Sequence, residues 1–356
     1  MTETTLAERE NQAPLKTRWL ALRDAEPKIR ARDAAEKLEV SEGELLGCRC
    51  GESVQRLQGP WGELIQALPE LGRIMALTRN EHVVHEKKGA FGKISIFGEK
   101  MGLVLNHDID LRLFLGRWHF GFAVVEEGAG GPRRSLQFFD QDGMAVHKVH
   151  LLEDSNVEAF DALVARFLSP DQSAEMSVTP VPPEPEARPD SEIDTTVLRD
   201  RWLALKDVHD FHAMLGELGA GRVQALRLVG TELAWRVDVK SFRNAVTAAA
   251  DQEIPIMIFV GSPGAVQIHT GPVKTLRDVG PWFNILDPDF NLHLREDHIA
   301  SAWVVRKPTK DGIVTSLEIY NEDDQQIAWL FGERGEGSSE RMDWRALAES
   351  MEGVDA

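Results

Sequence analysis

The segment Arg18-Trp19-Leu20-Ala21-Leu22-Arg23-Asp24 recurs 183 residues later as Arg201-Trp202-Leu203-Ala204-Leu205-Lys206-Asp207. Two further segments recur in the same order at nearly the same spacing. They are Asp108–Leu113 with Asp289–Leu294, and Ser135–Phe138 with Ser316–Ile319. A repeat that keeps its order over most of a chain indicates an internal duplication. We therefore predict one architecture present twice.

The segment between the two copies, residues 169–196, has the composition of an extended linker. It holds six prolines and seven acidic residues with a single arginine, Arg188, and almost no large apolar side chains. Such a segment cannot bury enough surface to offset the entropy lost when it is ordered. The sequence therefore predicts two halves of ordinary domain size, 1–168 and 197–356, joined by this linker.

The charge balance limits the classes of partner. The formal net charge is −18, which disfavours binding to DNA, because that binding depends on clustered Lys and Arg. The first residues, Met1–Thr5, are polar and carry no apolar run of the signal-peptide type. No stretch approaches the roughly 20 apolar residues of a membrane span. We expect a cytoplasmic protein without stable membrane insertion.

The apolar pattern predicts helices followed by strands in each half. In the second half, one set of residues is spaced at steps of three and four: Leu198, Trp202, Leu205, His209, His212 and Leu215. This spacing predicts one helical stripe that ends among Gly216, Gly219 and Gly221. Apolar runs predict strands at 256–260, 266–269, 302–306, 313–320 and 327–331. Strands that are adjacent in sequence favour antiparallel pairing, with helices to one side. The predicted class is α+β, a tandem duplication in which each half is a large, mostly antiparallel β-sheet with flanking helices.

His209 and His212 distinguish the second copy, since the first copy has Glu26 and Ile29 at the matching places. Side chains three residues apart on a helix share a face. Three interpretations stay open. The pair could be structural histidines satisfied by hydrogen bonds, or two ligands of a zinc site that lacks a third ligand. Alternatively, one imidazole could offer Nε2 to haem iron in an apolar environment with cations nearby.

Several cations could accompany such a ligand, because the two propionates of haem need charged or polar partners. Arg222 follows the predicted helix, Lys307 lies at a strand end, and Arg334 ends the segment Phe331–Arg334. In the first half, Arg112 lies in Asp110–Phe114. Each of these residues alone is more typical of a surface charge, and spacing does not bring them together.

Short motifs along both halves are characteristic of one protein family. They are Met75–Glu81, Asp108–Phe114, Phe138–Asp140 and Ala145–Val149 in the first half, and Asp207–His212, Gln267–Val273, Asp289–Leu294, Val305–Pro308 and Leu330–Arg334 in the second. With these motifs the chain resembles, over nearly its full length, the cytoplasmic haem-trafficking and hemin-degrading family of Gram-negative iron-uptake systems, the HemS/ChuS/PhuS type. The resemblance implies duplicated α+β halves that bind one haem b in a cleft between them.

The resemblance also implies which residues contact haem. His209 would be the proximal iron ligand, and His212 a possible alternative ligand, as in the branch of the family that passes haem to a heme oxygenase. The other implied contacts are Arg112 and Phe114 from the first half, Arg222, Lys307 and Arg334 lining the pocket or binding the propionates, and Phe331 near the ring. A tyrosine found in the pocket of some members is not assigned here, since the chain has only Tyr320.

Two functions remain open under this resemblance. In the first, the protein is a carrier that receives haem from an inner-membrane importer and passes it to a separate heme oxygenase. In the second, it is an enzyme that opens the porphyrin with a reductant and oxygen or peroxide. The histidine pair favours the carrier, because two ligands three residues apart allow stepwise transfer. Regulation through DNA binding is disfavoured by the net charge of −18.

Overall fold

The computed structural model describes residues 13–128, 130–183, 185–335 and 337–354. Met1–Thr5, on which part of our expectation of a cytoplasmic protein rests, lies outside these ranges. Over the described residues, helices and strands both occur in each half of the sequence, and the predicted α+β class is confirmed. None of the helices in this part of the chain is both long and apolar enough to cross a membrane.

The elements within the described residues are as follows. The α-helices are α1 (Leu15–Ala25), α2 (Ala31–Lys37), α3 (Glu42–Gly47), α4 (Trp61–Ala67), α5 (Val157–Phe167), α6 (Thr195–Leu203), α7 (Asp210–Leu218), α8 (Arg222–Leu228), α9 (Ser241–Asp251) and α10 (Met342–Glu349). The strands of the first half are β1 (Val54–Leu57), β2 (Arg73–Arg79), β3 (Val83–Ala90), β4 (Lys93–Phe97), β5 (Met101–Leu105), β6 (Asp110–Leu113), β7 (Phe120–Gly128), β8 (Gly131–Phe139) and β9 (Ala145–Leu151). Those of the second half are β10 (Ala234–Val237), β11 (Ile256–Ser262), β12 (Ala265–Gly271), β13 (Leu276–Val279), β14 (Trp282–Leu286), β15 (Phe290–Arg295), β16 (Ser301–Thr309), β17 (Gly312–Tyr320) and β18 (Gln326–Gly332).

The strands of the described chain form two antiparallel sheets of nine strands each. Their orders are β1-β7-β8-β9-β2-β3-β15-β14-β13 and β10-β16-β17-β18-β11-β12-β6-β5-β4. One order becomes the other when every strand is replaced by its counterpart from the other repeat. The predicted duplication is therefore confirmed at the level of topology.

The strand registers repeat as well. Phe120 pairs with Phe139 in the β7–β8 hairpin, and Ser301 pairs with Tyr320 in the β16–β17 hairpin. A bulge at Phe138/Phe139 recurs at Ile319/Tyr320. Because a slip of one residue would turn every side chain to the other face of a sheet, equal registers place equivalent positions on equivalent faces.

The chain forms two compact units. The first contains the described residues of Met1–Thr78, Lys88–Pro182 and Ser262–Ala265. Its largest apolar cluster joins Leu64 and Ile65 of α4 and Phe160 of α5 with Leu136 and Phe138 of β8. The alternating apolar side chains of β8 form one side of this core, and the apolar faces of α4 and α5 form the other.

The second unit contains Arg79–Lys87, the described residues of Pro183–Gly261, and those of Val266–Ala356. Val304 on β16 packs in a cluster with Phe242 of α9 and Trp344 of α10. The next residue, Val305, packs in another cluster with the helices α6 to α8. Successive side chains of a strand point to opposite faces, so helices cover both faces here. The prediction of helices to one side is wrong for this unit, because both faces of β16 are apolar.

The predicted single helical stripe from Leu198 to Leu215 is also wrong. Helix α6 ends at Leu203 and α7 begins at Asp210. Between them the Asp207 carboxylate accepts the backbone N–H of His209 at 2.9 Å, a local bond that competes with the helical ladder. The bend brings Trp202 of α6 and Phe211 of α7 edge to face, with ring centres 4.6 Å apart. Both rings therefore enter one core.

The described residues of the predicted linker up to 189 form neither helix nor strand. The part that belongs to the first unit is nevertheless fixed by hydrogen bonds. Arg56 Nη2 donates to the carbonyls of Ser173 at 3.0 Å and Glu175 at 2.8 Å, and Met176 packs beside the first unit's apolar residues. This part of the segment is therefore anchored to the first unit, and an extended conformation of the whole linker stays a prediction. The domain boundaries at 168 and 197 stay predictions.

Candidate functional site

His209 immediately precedes helix α7 and has an exposed imidazole that is hydrogen-bonded to a carboxylate. Its side chain is 82% exposed, and its Nδ1 lies 2.5 Å from Oδ1 of Asp207. Because a carboxylate only accepts hydrogen bonds, Nδ1 carries the hydrogen and Nε2 of the neutral ring keeps its lone pair. Among the described contacts Nε2 has no hydrogen-bond partner. A carboxylate that orients an imidazole in this way is common behind metal-ligating histidines.

His212 lies on the first turn of α7 and is also exposed. His209 precedes the first helical residue but already has helical backbone angles, φ −71° and ψ −25°, so the three-residue spacing places both imidazoles on one side. Within the described chain, no group of three or more His, Cys, Asp or Glu residues is arranged to hold a metal ion. The zinc interpretation therefore gains no support, and exposure argues against two histidines that serve as internal hydrogen-bond partners.

A buried carboxylate near Phe211, the second residue of α7, binds two of the predicted cations. Glu318 on β17 is fully buried. Its Oε2 accepts Nε and Nη2 of Arg222 at 3.0 and 2.8 Å, and its Oε1 accepts Nζ of Lys307 at 2.7 Å. The Arg222 guanidinium and the Lys307 ammonium lie 5.1 and 4.6 Å from the centre of the Phe211 ring, within the range of cation–π attraction. The structure thus joins two cations that sequence spacing could not bring together.

Three more donors complete the bonding of this carboxylate. Tyr320 donates its hydroxyl to Oε2 at 2.5 Å, Gln326 Nε2 donates to the same oxygen at 3.2 Å, and Ser316 donates to Oε1 at 2.8 Å. We call Glu318, Arg222, Lys307, Tyr320, Gln326 and Ser316 the Glu318 cluster. A carboxylate with this many donors is held in one orientation, and so are the cations that it binds.

The charges of the cluster depend on each other. Burial alone would raise the pKa of Glu318, but Arg222 and Lys307 outweigh burial and hold that pKa well below its usual range. Burial lowers the pKa of Lys307 to about 8, Glu318 opposes this effect, and Arg222 adds to it. Lys307 is therefore mainly protonated at neutral pH, and two cations with one carboxylate leave one net positive charge.

The other predicted contacts of the second half lie on or just after β18. Phe331 is half-buried and pairs in register with Ser316 of the Glu318 cluster, so the two side chains share a face of the sheet. Its ring meets that of Phe259 at 5.0 Å. Arg334 is half-buried two residues after the end of β18, and a role for it in propionate binding stays a prediction.

Arg112 and Phe114 lie in the first unit. Arg112 on β6 is half-buried and bound to Asp110. Burial raises the pKa of Asp110, and Arg112 opposes that rise. Phe114 is half-buried after β6, and its backbone N–H donates to the carbonyl of Gly264 at 2.9 Å. Their approach to a ligand shared with the second half, and the cleft between the halves, stay predictions.

Glu318 was missed from the sequence, whereas Phe211 was noted only as part of the motif around His209, and Tyr320 was considered but left unassigned. One signal was available, because Ser316, Glu318 and Tyr320 alternate along a predicted strand and therefore share a face. Glu318 also lies in a repeated segment in which the first copy has Gln137. A carboxylate that replaces a neutral residue at one of two equivalent strand positions suggests a cation nearby if the strand is buried, since a buried charge needs a partner.

The residues that are present fit haem. Such a ligand needs an accessible imidazole nitrogen, apolar surface and positive charge for its propionates. His209 supplies the first, the half-buried ring of Phe331 contributes apolar surface, and the Glu318 cluster has one net positive charge. Lys307 is only 4% exposed, whereas the Arg222 side chain is 24% exposed. Of these two cations, Arg222 is the one that an external anion can reach.

Comparisons with known proteins relate this sequence to one family. The family model of the haemin-degrading HemS.ChuX domain matches residues 39–167 and again 219–351. The hemin transport protein HmuS of Yersinia pestis is 40% identical over 94% of this chain and 96% of its own length. The hemin transport protein HemS of Yersinia enterocolitica is 41% identical over 88% of this chain and 90% of its own.

Solved structures agree. The crystal structure of holo-PhuS, a heme-binding protein from Pseudomonas aeruginosa, superposes with a TM-score of 0.94 at 50% identity and covers 96% of this chain and 100% of that one. ChuS, described as an E. coli heme oxygenase, gives a TM-score of 0.86 at 38% identity over 95% of this chain and 99% of its own. The repeated match to the family model and these full-length similarities show that the chain belongs to the haemin-degrading HemS.ChuX domain family.

Proposed function

We propose that this protein binds haem and that His209 is the proximal ligand of the iron. The observation that carries the proposal is the exposed imidazole whose Nδ1 is bonded to Asp207, which leaves Nε2 to bind iron. The bound haem supplies an iron centre that takes axial ligands. The chain's own residues orient the imidazole and supply charge for the propionates.

The proposed role is that of a carrier in a haem-uptake system. The protein would receive imported haem in the cytoplasm, from an inner-membrane importer, and pass it to a separate heme oxygenase. Two similar proteins described as hemin transport proteins support this role. The exposure of both His209 and His212, three residues apart, supports it further, because a second imidazole can take the iron before the first one leaves.

The test of haem binding is a titration of the wild type beside His209→Ala and His212→Ala. We expect His209→Ala to weaken binding or change the absorption spectrum of the bound haem, and His212→Ala to leave binding largely intact. His212→Ala should instead slow transfer of haem to an acceptor protein, followed by stopped-flow absorption. An unchanged spectrum and affinity in His209→Ala would overturn the assignment of the ligand.

A second candidate function is haem degradation by the protein itself, with a reductant and oxygen or peroxide. The description of the family as haemin-degrading and the similarity to ChuS, described as a heme oxygenase, favour it. The two functions are distinguished by incubating the haem-loaded protein with ascorbate or a flavin reductase, with catalase present to remove free peroxide. A carrier should leave the porphyrin intact. Stoichiometric formation of a tetrapyrrole product with release of iron would establish the enzyme.

A further inference from the structure

We infer that Glu318 is a positioning residue for an anionic group of the ligand. One carboxylate fixes Arg222 by one edge of its guanidinium and holds Lys307 as a protonated partner, so that the Glu318 cluster presents one net positive charge through Arg222. This inference rests on the proposed function. It goes beyond that function by assigning the selection of a ligand carboxylate to a buried acid that does not itself reach the ligand.

The geometry of Arg222 supports this role. Its Nε and Nη2 are occupied by Glu318 at 3.0 and 2.8 Å, and Nε also donates to the Tyr320 hydroxyl at 2.8 Å. Nη1 makes none of these bonds, and 24% of the Arg222 side chain is exposed to solvent. A guanidinium held along one edge has its remaining donors fixed in direction. Arg222 is therefore prepared to donate to an external carboxylate.

Lys307 supports the same role from inside the fold. Its ammonium is 2.7 Å from Glu318 and 4.6 Å from the ring centre of Phe211, and the residue is buried. A buried ammonium beside a guanidinium loses its proton easily unless a carboxylate compensates. Glu318 therefore keeps Lys307 charged, and the two cations hold Phe211, two residues from His209, against the sheet.

The experiment uses Glu318→Gln, with Tyr320→Phe as the matched control that removes two hydrogen bonds, those to Glu318 and from Arg222, but no charge. In the ligand-free protein, the titration of Lys307 is followed by NMR of ¹³C-labelled lysine, with its signal assigned from Lys307→Arg. We expect Glu318→Gln to lower the midpoint of that titration by about one pH unit or more, and Tyr320→Phe to change it little. Glu318→Asp, which keeps the charge but shortens its reach, should shift the midpoint in the same direction by less. It also serves as the second variant if Glu318→Gln does not fold.

The ligand part is tested with ferric protoporphyrin IX and its dimethyl ester, in which the propionates carry no charge. We expect the wild type and Tyr320→Phe to prefer the free acid. Glu318→Gln should lose about tenfold of that preference, which corresponds to about 1.4 kcal/mol.

Each result bears on one part of the inference. An unshifted Lys307 titration in both Glu318 variants would overturn the positioning role, whether or not haem binds. A shifted titration with an unchanged preference would overturn the link to the ligand carboxylate. Failure of the wild type to bind either porphyrin would instead refute the proposed function, and the role toward a porphyrin carboxylate with it.

Discussion

At the scale of single residues, the orientation of His209 depends on Asp207. The same carboxylate oxygen accepts the imidazole Nδ1–H at 2.5 Å and the backbone N–H of His209 at 2.9 Å. Asp207→Asn keeps an acceptor for the backbone but removes the charge that orients the ring and makes it a stronger ligand. Because the loss of such an outer partner typically lowers metal affinity by about 10- to 100-fold, we expect haem affinity to fall toward the lower end of that range. A haem titration measures it.

The matched control is Asp210→Asn, which removes an adjacent acidic residue in the first turn of the same helix. This variant should bind haem like the wild type. If both variants weaken binding equally, the effect comes from the general charge near α7 and not from the bond to the imidazole.

The sequence predicted His209 but not Glu318, for a physical reason. The pair His209 and His212 can be recognised from the sequence alone, because the first repeat has no histidine at the equivalent positions. The importance of Glu318 depends on pairing between strands, because Arg222, Lys307 and Tyr320 become its neighbours only when α8, β16 and β17 meet. The two cations were predicted as independent candidates, and the acid that joins them was the missing part.

At the scale of elements, the two glycines at the end of α7 have opposite roles. Gly216 is inside the helix, and a Cβ added there would meet nothing within 4 Å. Gly219 caps the helix with φ +64°, and its Cβ would lie 2.8 Å from Nε of Arg188. Gly216→Ala should stabilise the protein by about 0.5–1 kcal/mol by reducing the freedom of the unfolded chain. Gly219→Ala should destabilise it by about 1 kcal/mol or more, because alanine is strained in the left-handed region.

Urea denaturation of both variants beside the wild type measures these effects. Changes of the same sign in the free energy of unfolding of the two variants would contradict the assigned end of α7. Haem binding by Gly216→Ala should be unchanged, since the substitution touches no residue of the Glu318 cluster.

The type of a helix or strand could be predicted where one hydrophobic period dominates its sequence, but its first and last residues could not. The strands predicted at 256–260 and 327–331 appear as β11 and β18, each extended by one or two residues. The bend between α6 and α7 was missed, because apolar residues on both sides of it keep the helical spacing. The bond from Asp207 to the backbone of His209 breaks the helix while the stripe continues.

At the scale of the whole molecule, the two repeats share one backbone topology but differ in the charged residues at equivalent positions. The hairpins β7–β8 and β16–β17 have equal registers, which makes Glu126 the counterpart of Lys307 and Gln137 the counterpart of Glu318. Glu126 lies near the surface and binds Arg49 at 2.5 Å, whereas Lys307 is buried. The repeated sequence predicts the common frame, but only the three-dimensional pairing shows that the charged cluster belongs to one copy.

Both units also contain a buried, neutral histidine, and this has a consequence for acid stability. Burial is the largest cause that lowers the pKa of His85 to about 3, and Lys87 makes a smaller contribution. Burial likewise lowers the pKa of His147 to about 3, with a smaller contribution from His150. The ordinary value, 6.5, applies to the unfolded chain. Between these values the unfolded state binds protons that the folded state does not. The stability from each neutral ring is therefore complete above the ordinary value and is lost as pH falls toward the folded value, by about 1 kcal/mol per pH unit.

His85→Phe isolates this effect in the second unit, because His85 is fully buried and its ring packs against Phe290 with centres 4.9 Å apart. The free energy of unfolding, measured in urea between about pH 7 and about pH 4, should fall less steeply for His85→Phe than for the wild type, by about 1 kcal/mol per pH unit below about pH 6. His107→Gln is the control, since that side chain is 83% exposed and should leave the slope unchanged. Parallel slopes for the wild type and His85→Phe would show that His85 takes up its proton without unfolding, and that the neutral buried ring does not contribute to the acid sensitivity of the fold.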